Sequence, residues 1–384
     1  MIVELGEAQR EVQELVRRVA RERVAPRAQA IDATAEYPQD MFELLRELGL
    51  FTLPFPPEHG GAGSMLSAVL AVEELARVCY NTAYLLVVQW TPFGAILAAG
   101  DDEQKQRYLP GLAAGDLRAA FSTTEAQSGS DVAGIKTRAR RADGGYRISG
   151  AKLWCTNALV SDFVIVAARS GEDEARGRLN FFIVERGAPG FAIGPKEDKM
   201  GARGLPASPL YFDEVFVPER NRLGPEGKGF GQVMEALNLS RPIIAARGVG
   251  LAQGAMELAM AFLEGRRAFG QAILDFQGVR WMLADMAVQT EAARLLVYQA
   301  ADAVDRGVRG KELALAAAIA KCHATDTAMK VATDAVQLFG AAGISNEFPI
   351  NRYFRDAKVL QIVEGTNQIQ RNIISRNLLG RGRG

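Results

Sequence analysis

The chain has 384 residues, of which 48% are hydrophobic and 23% are charged. This composition is typical of a folded globular protein and excludes disordered, collagen-like and coiled-coil chains. Basic and acidic residues both number 45, so the formal net charge is zero. Nucleic acids and anionic membranes attract proteins with an excess of basic residues, and neither is an expected partner here.

Cysteine and histidine are scarce, with three cysteines (Cys79, Cys155, Cys322) and two histidines (His59, His323). They form no CxxC pair, so neither a disulfide framework nor a Cys/His zinc site is expected. With the histidines so far apart in the sequence, a Ser/His/Asp or Cys/His triad is also disfavoured, and packing roles explain them better. A reducing cytoplasm is the predicted location.

The N-terminus does not have the pattern of a secretory signal. Glu4 and Glu7 precede any apolar run, so a secretory signal is not expected. No stretch approaches the ~18 apolar residues of a membrane span, so no membrane span is expected.

Residues 1–118 are predicted to form an N-terminal helical domain, because apolar residues recur every three to four positions. The first helix covers 12–24 and is expected to end at Pro26. The segment 81–100 is apolar on nearly all faces and should lie inside the protein. Asp101 and Asp102 are placed to cap the helix that follows.

Residues 119–225 change to short β-branched and aromatic runs separated by Gly, Pro, Asn and Asp. This pattern predicts a middle antiparallel β domain. Residues 226–384 are helical again, and 311–340 forms the clearest long helix, with a glycine stop. The predicted class is therefore α+β multidomain, with helices, then strands, then a helical bundle.

Three glycines, Gly248, Gly250 and Gly254, are spaced somewhat like a dinucleotide-binding turn. No strand precedes them, and helix-forming sequence surrounds them. Close packing of two helices is the better interpretation.

Two segments could receive a flat polar ligand. The loop 121–134 (FSTTEAQSGSDVAG) combines hydroxyls, acids and glycines. Such a loop can offer the backbone N–H groups and hydroxyls that flavin rings and phosphates require, or it is a plain connection. In the run 153–157 (LWCTN), Trp154 and Thr156 share one face of a strand. They could support a heterocycle, although a core tryptophan explains the same pattern.

A single acid, Glu364, lies between the apolar QIV and the turn-like GTN. Burial in an apolar wall would raise the pKa of this carboxylate and suit it to act as a general base. Alternatively, Glu364 simply precedes a helix and stabilises its positive end.

Five segments occur in the order found in one enzyme family: TTEAQSGSDVAG, LWCTN, RRAFGQAILDFQ, DAVQLFGAAG and VEGTNQIQR. With these motifs the chain resembles the acyl-CoA dehydrogenase family of flavoproteins over almost its whole length. The resemblance implies an N-terminal helical domain, a middle β domain and a C-terminal four-helix bundle, in agreement with the pattern above.

The resemblance also implies FAD as cofactor and oxidation of an acyl-CoA to its trans-2-enoyl-CoA. Electrons would pass to an electron-transferring flavoprotein. Glu364 falls on the family's catalytic base, and its backbone N–H, together with a flavin ribityl hydroxyl, would polarise the substrate carbonyl.

Further roles carry over by position. Phe121, Thr123 and Thr124 match the loop along the flavin ring, Ser130 touches flavin and substrate, and Trp154 and Thr156 pack on the ring near N5. Arg266, Phe269 and Gln277 match residues that reach the FAD of a neighbouring subunit, with Arg266 at the pyrophosphate. Gln337 to Ala341, including Gly340, match the same end of the cofactor, and Thr366 and Gln368 match contacts after the base. A homotetramer, built as a dimer of dimers, is the expected assembly.

For the substrate, Asn238, Arg241 and Gly365 match acyl-CoA contacts, and a structural Arg paired with a helix acid is the alternative for Arg241. Some relatives carry the base at the position of Ser240, so serine there favours Glu364. No basic residue lies between Arg77 and Lys105, which leaves a second substrate carboxylate without an evident partner in that segment.

The chain departs from the family pattern at Ala126-Gln127-Ser128 and at Val363, so the acyl chain preference stays open. Two other functions compete with this one. A flavin oxidase or monooxygenase of the same fold often lacks the glutamate, and a binding protein without turnover would lose Glu364 or the flavin contacts. Neither loss is present.

Overall fold

The computed structural model describes residues 4–170 and 178–380. The N-terminal part consists of six helices, which are α1 (Glu7–Val19), α2 (Ala25–Thr34), α3 (Gln39–Glu47), α4 (Met65–Ala76), α5 (Tyr80–Ala99) and α6 (Asp102–Ala114). Asp101 caps α6, because its side chain accepts a hydrogen bond from the Gln104 backbone N–H. This cap agrees with the sequence pattern.

The expected end of the first helix at Pro26 is wrong. A π-helical turn at Ala20–Val24 joins α1 to α2, so the helical path continues to Thr34. Pro26 lies in the first turn of α2, where its missing N–H and fixed φ are tolerated.

Helix α5 lies in the core, as its apolar faces predict. Its mean hydropathy is 1.4, so by length and composition it could cross a membrane. This is contrary to the expectation that the sequence contains no membrane span. Most of that apolar window, 72%, is buried inside the fold. Burial against other helices accounts for its apolar character.

The middle part is one eight-stranded sheet with the order β6-β7-β3-β2-β4-β5-β8, and β1 pairs with β4. The strands are β1 (Ala119–Ser122), β2 (Arg138–Ala142), β3 (Gly145–Thr156), β4 (Phe163–Ser170), β5 (Arg178–Glu185), β6 (Phe191–Ile193), β7 (Ala207–Pro218) and β8 (Arg222–Leu223). The β-branched and aromatic runs predicted in 119–225 lie in strands β3, β4, β5, β6 and β7. Pairing is mostly antiparallel, but β4 pairs in parallel with both β1 and β2.

The C-terminal part contains five helices and a short hairpin. The elements are α7 (Gly229–Glu264), β9 (Arg267–Ala268), β10 (Gln271–Ala272), α8 (Gln277–Asp305), α9 (Gly310–Phe339), α10 (Ile350–Ile362) and α11 (Asn367–Leu378). Helix α9 ends at Gly340, which has φ +60°, as the glycine stop predicts.

One continuous apolar core joins both helical parts to one face of the sheet. Phe163 and Ile165 of β4 belong to it, whereas Val164 and Val166 on the opposite face belong to a smaller core of the sheet. This alternation is the period-two pattern of a strand buried on both sides. The shared core therefore fixes the position of the helices relative to the sheet.

The glycines of α7 allow it to approach its neighbours closely. A Cβ atom would lie 2.2 Å from the Glu73 carbonyl oxygen at Gly250, and 2.0 Å from the Arg77 carbonyl oxygen at Gly254. At Gly248 it would lie 2.9 Å from the Ala324 carbonyl oxygen. Close helix packing, and not a dinucleotide turn, is thus confirmed as their role.

We expect Gly250→Ala to lower the free energy of unfolding by about 1–3 kcal/mol or more, because the backbone of α4 must move away. Gly231→Ala on the same helix is the matched control, since a Cβ there has no neighbour within 4 Å. Alanine at this control position should leave stability unchanged or raise it by up to about 1 kcal/mol. Denaturant unfolding of both variants measures the difference, and equal stabilities would contradict the packing role.

Candidate active site

Glu364 occupies a tight turn between α10 and α11. Its φ is +56° and that of Gly365 is +89°, so two successive residues are left-handed. Thr366 then caps α11, its hydroxyl accepting from the Ile369 backbone N–H at 3.3 Å. A non-glycine residue held at positive φ is strained, and such strain is concentrated at functional sites.

The two carboxylate oxygens of Glu364 have different surroundings. Oε1 accepts a hydrogen bond from Nη2 of Arg247 at 3.3 Å, whereas Oε2 is buried without a partner. Burial raises the pKa of Glu364, and the charges of Arg247, Lys321 and Arg241 oppose this rise. A buried carboxylate oxygen with a raised pKa and no internal partner is suited to receive a proton.

Arg247 was not anticipated from the sequence. It is fully buried on α7, donates from Nη1 to the Tyr80 hydroxyl at 3.1 Å, and lies 4.1 Å from the ring centre of Tyr84. A lone arginine inside the apolar run IIAARGVGLA was the available signal, because a buried charge needs a partner. Its partner is 117 residues away in the sequence.

Lys321 of α9 fixes the turn that carries Glu364. Its Nζ donates to the Gly365 carbonyl oxygen at 2.9 Å and to Oδ1 of Asn367 at 2.8 Å. Burial lowers the pKa of Lys321 to about 8, so most of it is charged at neutral pH. Helix α9 thus holds two of the three residues that follow Glu364.

A second part of the site is formed by the loop after β1 and the end of β3. The Leu153 N–H donates to the Thr124 carbonyl oxygen at 2.9 Å, and Nζ of Lys152 donates to the Thr123 carbonyl oxygen at 3.2 Å. Lys152 also pairs with the buried Glu125 at 2.7 Å, and the pKa of Glu125 is lowered to about 2. Although burial by itself would raise that pKa, the hydrogen bonds to the charged form outweigh it.

Trp154 is not a core residue. Its side chain is 54% exposed and its φ is +59°, because β3 has a bulge between Lys152 and Cys155 that turns it outward. Thr123, Thr124 and Thr156 are half-buried beside it, and a buried Ser122 hydroxyl lacks a partner. An open aromatic plane with hydroxyls near it fits a flat, polar heterocycle. Phe121 is half-buried and packs on Phe181.

A third group lies at the end of the helical bundle. Arg266 lies over the ring of Phe262, and Phe262 stacks on Phe339 at 4.0 Å, which places Arg266 near the end of α9. Phe269 is 94% exposed and contacts Phe276. The other members, Gln277, Gln337, Gly340 and Ala341, are also exposed. Among the described residues, no hydrogen bond or ring contact joins this group to Trp154 or Glu364.

The remaining candidates differ in accessibility. Ser130 and Gln368 are exposed, and Asn238 is half-buried beside a cavity of about 280 Å³. Arg241 is buried and donates to Asn238, so it is not paired with a helix acid. Burial lowers the pKa of Arg241 to about 10, and it stays charged at neutral pH.

Metal chemistry has no evident site in residues 4–170 and 178–380, where no cluster of three or more His, Cys, Asp or Glu could hold an ion.

Comparison with known proteins identifies the family. The N-terminal, middle and C-terminal domains of acyl-CoA dehydrogenase match residues 6–116, 120–215 and 227–379. The acyl-CoA dehydrogenase of Bacillus subtilis (strain 168) is 43% identical over 96% of this chain and 97% of its own length. The cyclohexane-1-carbonyl-CoA dehydrogenase of Geobacter metallireducens is 42% identical over 97% of this chain and 98% of its own.

Solved structures agree with this assignment. Butyryl-CoA dehydrogenase from Megasphaera elsdenii matches with a TM-score of 0.94 and 37% identity, over 99% of this chain and 100% of that chain. The FAD complex of PigA matches with a TM-score of 0.92 and 28% identity over the whole of both chains. The predicted fold class, family and cofactor are thereby confirmed. The chain belongs to the acyl-CoA dehydrogenase family and is an FAD-dependent oxidoreductase that acts on acyl-CoA.

Proposed function

We propose that this enzyme converts an acyl-CoA to its trans-2-enoyl-CoA, with Glu364 as the base that removes the α-proton. The observation that carries this proposal is the buried, unpartnered Oε2 of Glu364. A carboxylate oxygen without an internal hydrogen bond is free to accept a proton from a ligand.

The chemistry matches the environment of Glu364. The α-proton of a thioester is weakly acidic, so a base with a raised pKa is better matched to it than an exposed carboxylate. As Glu364 takes the proton from Cα, the electron pair of that C–H bond forms the double bond to Cβ. FAD, when bound, supplies the acceptor for the hydride that leaves Cβ.

The backbone of Glu364 supports the same step. Its N–H makes no hydrogen bond within the described part of the chain. We propose that it donates to the thioester carbonyl oxygen, where negative charge develops. Donors of this kind are worth about 10²-fold or more in rate.

The residues for the cofactor fall into two proposed groups. Phe121, Thr123, Thr124, Ser130, Trp154 and Thr156 hold the ring of FAD bound to the same subunit, together with Thr366 and Gln368. Arg266, Phe269, Gln277, Gln337, Gly340 and Ala341 hold the FAD of a neighbouring subunit. The exposure of the second group, and the lack of contact between the two groups, support this division.

We propose a homotetramer, arranged as a dimer of dimers. Three apolar residues on one face of α8, Trp281, Val288 and Leu295, are 61%, 64% and 53% exposed. Their spacing of seven residues is that of a helix seam that packs against another helix. A shared cofactor site requires such contact between copies.

The substrate and its partners are also proposals. We propose that Asn238, Arg241 and Gly365 contact the acyl-CoA. An electron-transferring flavoprotein is the proposed electron acceptor, and the cytoplasm is the proposed location. The relatives act on acyl groups as different as butyryl and cyclohexane-1-carbonyl.

Anaerobic titration of the holoenzyme with straight, branched, alicyclic and aromatic acyl-CoA thioesters tests the reaction, because turnover bleaches the flavin. No bleaching with any of them would overturn the proposal.

We expect Glu364→Gln to retain FAD but to slow bleaching by substrate about 10²–10⁴-fold, because the amide cannot accept the α-proton. Anaerobic stopped-flow absorbance measures the rate. Glu347→Gln, an exposed acid in the preceding loop, is the matched control and should bleach normally. Unimpaired bleaching by Glu364→Gln would remove Glu364 from the base role.

We expect Arg266→Ala to weaken FAD retention about 10–100-fold, since a charge-assisted hydrogen bond contributes about 1.5–3 kcal/mol. Flavin released on gel filtration, with the oligomeric mass, measures the effect. Arg267→Ala removes an equally exposed neighbour and should leave both unchanged. A stable flavin-loaded tetramer after Arg266→Ala would argue against the shared site.

A further inference from the structure

We propose that Arg247 is a positioning residue for the reaction: it holds Glu364 through Oε1, leaves Oε2 for the substrate proton, and supplies the charge that keeps this half-buried base ionised. The inference rests on the proposed role of Glu364 and adds a residue outside the motifs considered above. It is carried by the geometry of the guanidinium.

The guanidinium is fixed from three sides. Nη1 donates to the Tyr80 hydroxyl at 3.1 Å, Nη2 donates to Glu364 at 3.3 Å, and the ring of Tyr84 lies 4.1 Å away. The guanidinium of arginine is planar, so its two Nη donors point in fixed directions toward these partners. Arg247 is itself fully buried, so it acts on the reaction through Glu364 and not by touching substrate.

The other charged groups near Glu364 do not substitute for Arg247. From α7 and α9, Arg241 and Lys321 also face the carboxylate, and Tyr80 and Tyr84 face it from α5. Arg241 bonds to Asn238, and Lys321 bonds to Gly365 and Asn367. Within the described residues, Arg247 is the one cation that donates a hydrogen bond to Glu364.

The sign of the pH effect follows from this arrangement. Burial raises the pKa of Glu364, and Arg247 is the largest influence that lowers it again. Without Arg247 the pKa rises further, so a higher pH is needed to ionise the base. The carboxylate also loses the contact that fixes its orientation, which lowers the rate even when it is ionised.

The test compares Arg247→Gln and Arg247→Lys holoenzymes with the parent enzyme by anaerobic stopped-flow bleaching across pH. The substrate is the acyl-CoA that the titration above identifies. For Arg247→Gln we expect the acid limb to move up by at least about one pH unit and the plateau rate to fall about tenfold or more. Arg247→Lys keeps the charge, so its acid limb should move less, while its plateau still falls because the fork is lost.

Arg352→Gln is the matched control. Arg352 is also buried, but it donates to the Val78 carbonyl oxygen and does not contact Glu364. We expect it to lose thermal stability without any movement of the acid limb. A comparable movement in this control would overturn the proposal, because a general loss of packing would then explain both.

An unchanged acid limb and plateau in Arg247→Gln would also overturn it. Where Arg247→Gln does not retain FAD, Arg247→Lys decides, and an unchanged plateau in that variant rejects the positioning role. Failure of the proposed function is distinguishable, since the parent enzyme itself would then show no bleaching.

Discussion

Glu364 is half-buried where α5, α7 and α9 approach one another, with its Oε2 atom fully buried, and a charge withdrawn from water in this way has to be compensated by the surrounding protein. Arg247 supplies the contact, Lys321 fixes the following turn, and the tyrosines of α5 hold the arginine. These groups come from segments far apart in the sequence. The core that joins the helical parts therefore determines the electrostatic state of Glu364, the proposed base.

Close packing of helices makes this arrangement available. Gly250 and Gly254 bring α7 against α4 with no room for a side chain, and this fixes the position of α7, including Arg247 one turn earlier. The same packing turns Arg247 toward the start of α5. Chemistry at the site thus depends on backbone contacts that carry no functional group, since the direction of a buried arginine is set by the position of its helix.

The proposed flavin platform depends on a different buried pair. Lys152 and Glu125 tie the end of β3 to the loop after β1, while the bulge at Trp154 presents its ring outward. Because the pair is buried and hydrogen-bonded on both sides, it fixes the position of the end of β3 relative to the loop after β1. Trp154 is half exposed in the single chain, which leaves its plane open to a ligand.

The sequence by itself determined the order of the elements, the boundaries of α9, the five main strands and the position of the single acid in the EGT segment, because these depend on local periodicity and turn residues. It did not predict the π-helical turn before Pro26, the bulge at Trp154 or the pairing of Arg247 with Glu364. A bulge depends on the register between two strands, and the ion pair joins residues 117 positions apart. Such contacts depend on tertiary packing and leave no local sequence pattern. The tertiary structure alone therefore decided which cation lies beside Glu364.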